Sequence, residues 1–441
     1  MTRPQLLYLV HRVPFPPNRG DRIRSYHVLR YLAERYDVSL ATLADEPVTS
    51  DMRRELDQLC VQVAIEPVGR SRWVRAAGSL ALGRSATEGL FASPALRQTV
   101  RRWATQRRFD ATIAFCSSMV QYLDCPELAD VPAVIDLVDV DSQKWFDYAE
   151  KTSGLKRRLF QLEGRRLRAL EQSLPDRARA ITLVSEAEAE LYRSFCPNDR
   201  TVAVANGVDL DYFRPHQGGP LPWQPLATSD RCNAVFVGAL DYRANIDAVT
   251  WFAAEVWPLV RQRLPELTLA LVGRKPDPAV QRLAKIPGIR VFGTVPDVRP
   301  YIAAADFVVA PLRIARGIQN KVLEAMAMGK PVICSPAAME GISKMPENET
   351  LVAATPHDWA KSIHQLVSDK PLRQRLAVAA RHHVERHYIW STALVALGEC
   401  LQLPALNESI PATSVVLTRG PLESRGSTSL FPMQARSNAH I

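Results

Sequence analysis

Short runs that are apolar at nearly every position alternate along this chain with longer stretches whose apolar residues recur at helical spacing. In the first half the runs are "QLLYLV" at 5–10, "DVSLATL" at 37–43, "FDATIAFC" at 109–116, "VPAVIDLVDV" at 131–140 and "RAITLVS" at 179–185. Between the first two, "GDRIRSYHVLRYLAERY" carries the three- and four-residue periodicity of a helix. Strands that are uniformly apolar are covered on both faces, and their alternation with helices predicts βαβ units in a parallel sheet.

The rhythm stops at "FRPHQGGPLPWQPLATSDRC", residues 213–232, which is rich in Pro and Gly and has no period. It reads as a linker. Beyond it the rhythm restarts with "NAVFVGAL", the helical "NIDAVTWFAAEVWPLVRQRLP", "LTLALVG", "IRVFGTV", "YIAAADFVVAPL" and "PVICS". The expected fold class is α/β, with two Rossmann-like, doubly wound parallel-sheet domains facing a cleft. The expected bounds are 1–212 for an N-terminal acceptor domain, 233–385 for a C-terminal donor domain, 386–402 for a terminal helix and 403–441 for a disordered tail. Ligands of such sheets bind beyond the carboxyl ends of the strands, so strand-to-helix loops are where chemistry is sought.

Composition narrows the classes. At 441 residues the chain is long enough for two cores, and 47% hydrophobic with 23% charged residues describes a globular protein. No apolar run approaches the roughly 18 residues of a membrane span, and no secretion signal can be assembled, so the expected location is the cytoplasm. The cysteines at 60, 116, 125, 196, 232, 334 and 400 show no C-x-x-C spacing, which implies reduced thiols and no zinc site. A net charge of +9 points to an anionic partner: a phosphate-bearing substrate, nucleic acid or an acidic membrane surface.

The stretch "GIQNKVLEAMAMGKPVI", 317–333, has the makings of such a site. With Asn320 as N-cap, the amides of Lys321, Val322 and Leu323 would face outward with the positive end of the helix dipole. Lys321 adds a full charge, and Gly317 permits close approach to the backbone. Glu324, one turn in, offers two oxygens to a neighbouring diol such as a ribose. Gly329 would end the helix as C′. A diphosphate beside a ribose is a nucleotide sugar or a dinucleotide, and no G-x-G-x-x-G occurs to support an NAD-dependent oxidoreductase.

In its pattern G-x-x-N-K-x-L-E-A-M-A-x-G-x-P-V this stretch resembles the donor-binding helix of GT4-type retaining glycosyltransferases of the GT-B fold. "NGVD" at 206–209 is similar to their interdomain signature, and "HRVPFPPNRGDRIRSYHVLRYLA", "FVGALDYRANIDAV" and "YIAAADFVVAPL" fit as well. Across residues 5–400 the chain looks most like the sugar transferases associated with exopolysaccharide and exosortase (PEP-CTERM) systems. The resemblance implies donor binding by Gly20, Gly238, Gly317, Asn320, Lys321, Val322, Leu323 and Glu324. It implies no cofactor. One departure stands out: Arg316 occupies the place of the first glutamate in the family's E-x7-E pattern. The family's Arg and Lys after the "VG" strand are also blurred, so Arg243 is the expected stand-in and Lys321 the main source of positive charge.

Further constellations complete the expectation. "PPNRGDRIR" brings Gly20 and the basic residues Arg19, Arg22 and Arg24 to the start of the first helix. "DLVDVDSQKW" sets Asp136, Asp139 and Asp141 at a strand end, facing the cleft, with Asp139 as an acceptor-side hydrogen-bond partner. Asp139 and Asp141 spell D-x-D, a manganese motif of another transferase fold. The same triplet recurs as "DLD" at 209, so no metal is assigned. "GLKRRLFQLEGRRLRALEQSL", 154–174, is a basic amphipathic helix suited to an anionic membrane or, alternatively, one whose leucines enter the core. No nucleic-acid motif appears. Nor does a nucleophile turn, and the histidines at 382, 383 and 387 lack an H-E-x-x-H glutamate.

The expected activity is transfer of a sugar from a nucleotide-diphosphate donor to a lipid-linked or polysaccharide acceptor, with retention. Lys321, Arg243 and Asp139 are the expected catalytic residues. A nucleotide-sugar 2-epimerase of the same fold and a non-catalytic nucleotide-sugar-binding protein are the alternatives.

Overall fold

A computed structural model describes residues 3–69, 71–216, 232–315, 317–342, 345–346 and 349–402. Most of the segment read as a linker, the tail from 403, and Arg316 lie outside the described residues.

The first sheet contains β1 (Gln5–Val10), β2 (Asp37–Ala44), β3 (Gln62–Pro67), β4 (Ala111–Phe115), β5 (Ala133–Val138), β6 (Ala180–Leu183) and β7 (Thr201–Ala203). Their order is β3-β2-β1-β4-β5-β6-β7, and every pairing is parallel. The second sheet contains β8 (Asn233–Val237), β9 (Thr268–Val272), β10 (Ile289–Gly293), β11 (Phe307–Ala310), β12 (Val332–Cys334) and β13 (Leu351–Val352), in the order β10-β9-β8-β11-β12-β13, again all parallel. These are two doubly wound α/β domains.

The reason the strands read as unbroken apolar runs is visible at β1. Leu7 and Leu9 enter one core cluster, while Leu6, Tyr8 and Val10 enter another on the opposite face. Both faces are dry, so alternation disappears. The second face is completed by the end of the chain. The helix Lys370–His387 packs in the second domain through Ala380 and Val384, then Val208 pairs with Ile389, and Trp390, Leu394, Leu397 and Leu401 join the first domain's core. Chain reversals thus cross between the domains side by side, with Gly207 so close to Trp390 that an added Cβ would lie 2.6 Å from its backbone nitrogen.

Strand order reverses direction between β1 and β4 in one sheet and between β8 and β11 in the other. Crevices open beyond the carboxyl ends at these two points. The loops that follow β5, β8 and β11 carry Asp139, Gly238 and Gly317 respectively, and the loop after β1 ends at Gly20, the first residue of the next helix. Among the described residues no helix is long and apolar enough to cross a membrane.

Candidate active site

The helix Asn320–Ala327 begins one residue earlier than its cap was expected to allow. Gln319 is the N-cap, without a side-chain cap, and Asn320 is already helical. The reason lies across the cleft. Asn320 Oδ1 accepts a hydrogen bond from Asn206 Nδ2 at 3.0 Å, so its side chain is turned toward the first domain and away from its own helix. Two of the amides expected to be open are also partly used, since the N–H groups of Val322 and Leu323 donate to Gln319 O at 2.9 and 3.4 Å. What the helix start offers is therefore its dipole and Lys321, and the amides of Val322 and Leu323 are not free donors. Its other end follows the expectation. Gly329 has φ +66°, its N–H donates to Met326 O, and that of Lys330 to Ala325 O, the bonding of a Schellman ending.

Lys321 is fixed in place by the second sheet. Its Nζ donates to Asn245 Oδ1 at 2.5 Å and lies 4.7 Å from the centroid of the Phe236 ring. A Cβ on Gly238 would come within 2.9 Å of Asn245 Nδ2 and 3.0 Å of that Nζ, so the glycine at the end of β8 makes room for the ammonium group. Burial pushes the Lys321 pKa down to about 8, with Glu324 opposing the shift. Burial likewise pushes Glu324 up to about 7, against the pull of Lys321. The pair is half-buried, poised near neutrality, and one helical turn apart.

Arg243 opens the helix Arg243–Trp251 and is exposed, with its guanidinium 5.6 Å from the ring of Tyr148 in the first domain. It sits where the two domains face each other.

From the first domain, Gly20 is the first residue of the helix Gly20–Ala33, and a Cβ there would lie 3.9 Å from Asn320 Nδ2. Asp139 approaches more closely. A Cβ on Gly317, whose φ is +58°, would fall 2.4 Å from Asp139 Oδ1 and 2.6 Å from Val184 Cγ1. Only glycine serves there, on grounds of both conformation and space. Asp139 is aimed by a β-bulge: the β5–β6 register shifts between Asp136 and Val138, and Val138 has φ +71°. Cys116, at the end of the neighbouring β4, also has φ +71°. Left-handed backbone at non-glycine residues on two adjacent strand ends marks a place where geometry is held against local preference. Burial pushes Asp139 up to about 7, reinforced by Glu188 and opposed by Lys144.

One expectation about charge is corrected. Asp136 does not face the cleft: it is fully buried and paired in two contacts with Arg24, Nε to Oδ2 at 2.8 Å and Nη2 to Oδ1 at 2.9 Å. Arg24 Nη1 also donates to Val204 O and to Asn206 Oδ1, each at 2.9 Å. Arg24 thus ties β5 to "NGVD", and Asn206 carries the chain of hydrogen bonds on to Asn320. The other basic residues at the start of the first helix are also neutralised from within the fold. Arg22 is buried against Asp45 and Glu46, and Arg19 is paired with Asp21. Asp141 accepts from Ser117 Oγ at 2.7 Å. Asn206 and Asn245 hold the site together yet were not singled out from sequence as ligand-side residues; only the "NGVD" motif pointed at the first.

Comparison with known proteins bears on the family and the fold. Residues 19–207 match the family described as "Glycosyl transferase 4-like domain", and residues 231–369 match "Glycosyl transferases group 1". The chain is similar to the O-antigen chain mannosyltransferase B of Escherichia coli, 30% identical over 217 residues, covering 46% of this chain and 55% of that protein. It spans about half the length of the curated relatives it matches. Its fold is similar to sucrose-phosphate synthase from Thermosynechococcus elongatus, with a TM-score of 0.68 at 17% identity, covering 91% of this chain and 98% of the other. It is also similar to Anabaena HepE in complex with UDP, with a TM-score of 0.62 at 16% identity and 90% and 99% coverage. With one such family on each side of the segment at 213–232, the chain belongs to the GT4-type, group 1 glycosyltransferases of the GT-B fold.

Proposed function

We propose that the protein transfers a sugar from a nucleoside-diphosphate donor to a hydroxyl of a lipid-linked or growing polysaccharide acceptor. The observation that carries this reading is the ammonium of Lys321, held at the end of β8 by Asn245 and Phe236 beside Gly238 and one turn from the acceptor oxygens of Glu324, on a helix whose Asn320 reaches Gly20 of the other domain. In this reading the diphosphate lies against Lys321 and the start of the Asn320 helix, Glu324 receives the ribose hydroxyls, and Gly238 and Gly317 admit the donor close to the backbone. Arg243 turns in from the rim.

The bond from the sugar's anomeric carbon to the diphosphate oxygen breaks, and negative charge grows on that oxygen. Stabilising it is the main catalytic task. Lys321, Arg243 and the helix dipole supply the positive charge, and a divalent metal is then unnecessary. The acceptor hydroxyl attacks from the face the diphosphate leaves, its proton passing to the departing phosphate oxygen, and configuration is retained. Asp139, beside Gly317, orients that hydroxyl. The HepE complex makes UDP the first nucleotide to test. The likeness to exosortase-associated sugar transferases makes exopolysaccharide biosynthesis, on the cytoplasmic side, the expected setting.

The test is incubation with labelled UDP-, GDP- and TDP-sugars in the presence of EDTA, scoring both transfer to lipid or saccharide acceptors and donor hydrolysis. Turnover of one donor supports the reading. Binding without turnover of any donor, or loss on chelation restored by manganese, would count against it, the latter returning Asp139 and Asp141 to a metal role.

A further inference from the structure

The helix Arg72–Ala81 is inverted relative to an ordinary surface helix. Ala76 and Ser79 are its buried positions, while its outward residues are Trp73, Val74, Ala77, Gly78 and Ala81, with Leu82 just beyond its end. The series 73, 77, 81 and 74, 78, 82 each advance one turn at a time, so they form one continuous face, and it carries no charge. Trp73 is 64% exposed, Val74 76% and Leu82 81%. Contiguous apolar faces of this kind mark interaction surfaces, whereas scattered exposed leucines do not.

A second exposed apolar stripe lies beside it. Glu163 of the helix Gly154–Ser173 accepts from the amides of Ala86 and Thr87, at the start of the short helix that follows Leu82, at 2.7 and 2.8 Å. A Cβ on Gly83 would lie 3.4 Å from Arg166 of the same long helix. Leu155, Leu159, Glu163 and Arg166 share one face at helical spacing, and the two leucines, past the contact with this loop, are 83% and 50% exposed. Around them Lys151, Lys156, Arg157, Arg158 and Arg165 are exposed, and among the described residues none of these five is in an ion pair. The carboxylates between the two helices, Glu88 and Glu163, are buried and bonded to backbone amides. The leucine stripe therefore has Lys156 on one side and Arg158 and Arg165 on the other, while Arg157, two positions from each leucine, lies on the opposite face of the helix.

We propose that this surface docks the protein on an anionic lipid bilayer, with Trp73, Val74, Leu82, Leu155 and Leu159 entering the interfacial zone and Lys156, Arg158 and Arg165 at the sides of the leucine stripe facing acidic headgroups. A tryptophan with aliphatic neighbours suits that zone, and basic residues on the flank of an apolar helix face strengthen such binding. The charge argues against a second copy of the chain as occupant: in a two-fold contact the same patch meets itself, setting cations against cations. The proposal stands apart from the transferase reading, since it concerns vesicle binding and not turnover.

Sedimentation with vesicles of phosphatidylcholine, with and without one-third phosphatidylglycerol, tests it. The wild-type chain should pellet with the anionic vesicles at least tenfold more than with the zwitterionic ones and be released by high salt. A variant with Trp73→Ser, Val74→Ser and Leu82→Ser should lose at least tenfold of that partitioning. So should one with Lys156→Gln, Arg158→Gln and Arg165→Gln. These side chains are exposed, so both variants should keep the wild-type melting temperature. Equal pelleting by wild type and variants, or no preference for anionic vesicles, would overturn the proposal. So would a dimer in sedimentation equilibrium that the serine variant dissolves in the absence of lipid, which would assign the face to self-association.

Discussion

"PNRGDRIR" in the first domain and "GIQNKVLE" in the second have much in common. Each follows a strand at the point where its sheet reverses, each begins a helix, and each offers a glycine beside basic residues. They differ in where the balancing charge lies. Around the first, Asp21, Asp45, Glu46 and Asp136 neutralise Arg19, Arg22 and Arg24 from within the protein. In the second, the hydrogen-bond partner of Lys321 is the neutral amide of Asn245. The charge of Lys321 is therefore held by a neutral amide with Glu324 only one turn away, whereas the arginines of the first region are tied into direct ion pairs.

The comparison is broken most severely at Arg24. Arg24→Met leaves Asp136 buried without its partner and should destabilise the protein by about 3–5 kcal/mol. Combining it with Asp136→Leu should recover most of that loss, measured by thermal or urea unfolding. A single variant within 1 kcal/mol of wild type would mean that the pair is not structural. At the matching place in the other domain, Lys321→Ala should leave the melting temperature nearly unchanged and lower kcat about 10²–10³-fold, the effect of removing one stabiliser of developing negative charge. If instead Lys321→Ala melts early and turns over normally, the roles of the two regions have been reversed.

Glu324 sharpens the contrast through pH. Glu324→Ala should weaken nucleotide binding by about 1.5–3 kcal/mol in calorimetry. In the proposed reading donor binding needs ionised Glu324, pushed up to about 7, and charged Lys321, pushed down to about 8, and kcat/KM should then be bell-shaped with its maximum between these values. The two limbs belong to the pair jointly. Glu324→Gln should flatten the acid limb. The stability of the unliganded protein should move the other way. A carboxylate whose folded pKa is raised contributes fully below its unfolded value, about 4.3, and that contribution fades as pH climbs through about 7. Glu324→Gln should therefore melt with less dependence on pH across that window.

The legible parts of the molecule were those set by local pattern. Strands apolar on both faces announce themselves, and so do a helix ended by Gly329 and a lysine one turn from a glutamate. What escaped depended on partners far along the chain. Asp136 at the end of an apolar strand looks like a cleft residue until Arg24, 112 positions away, is found beside it. Asn320 looks like a cap until Asn206 claims its side chain. The leucines at 154–174 looked uniform, yet Leu167 is buried and Leu155 exposed, because only the second half of that helix is covered. Nothing in "RWVRAAGSLA" by itself tells which of its faces points outward.

The smallest effect tests whether the two regions are joined. Arg24, Asn206 and Asn320 form a chain of hydrogen bonds from a buried ion pair to the first turn of the donor helix, and its last link is the 3.0 Å bond between the two asparagines. Asn206→Ala removes that link while leaving Arg24 its bonds to Asp136 and Val204 O, so the ion pair should survive. A neutral hydrogen bond contributes about 0.5–1.5 kcal/mol. Asn320→Ala should reduce stability by about that amount, and Asn206→Ala by more, because it also removes the acceptor of Arg24 Nη1. The double variant should lose no more than Asn206→Ala alone, because the bond lost in Asn320→Ala is already gone there. If the two losses add in full, the asparagines act separately, and the buried charge of the first domain has no mechanical hold on the helix that meets the donor. If they do not add, the register of the Asn320 helix is set partly from the first domain, and Asn206→Ala should also raise KM for the donor a few-fold with kcat little changed.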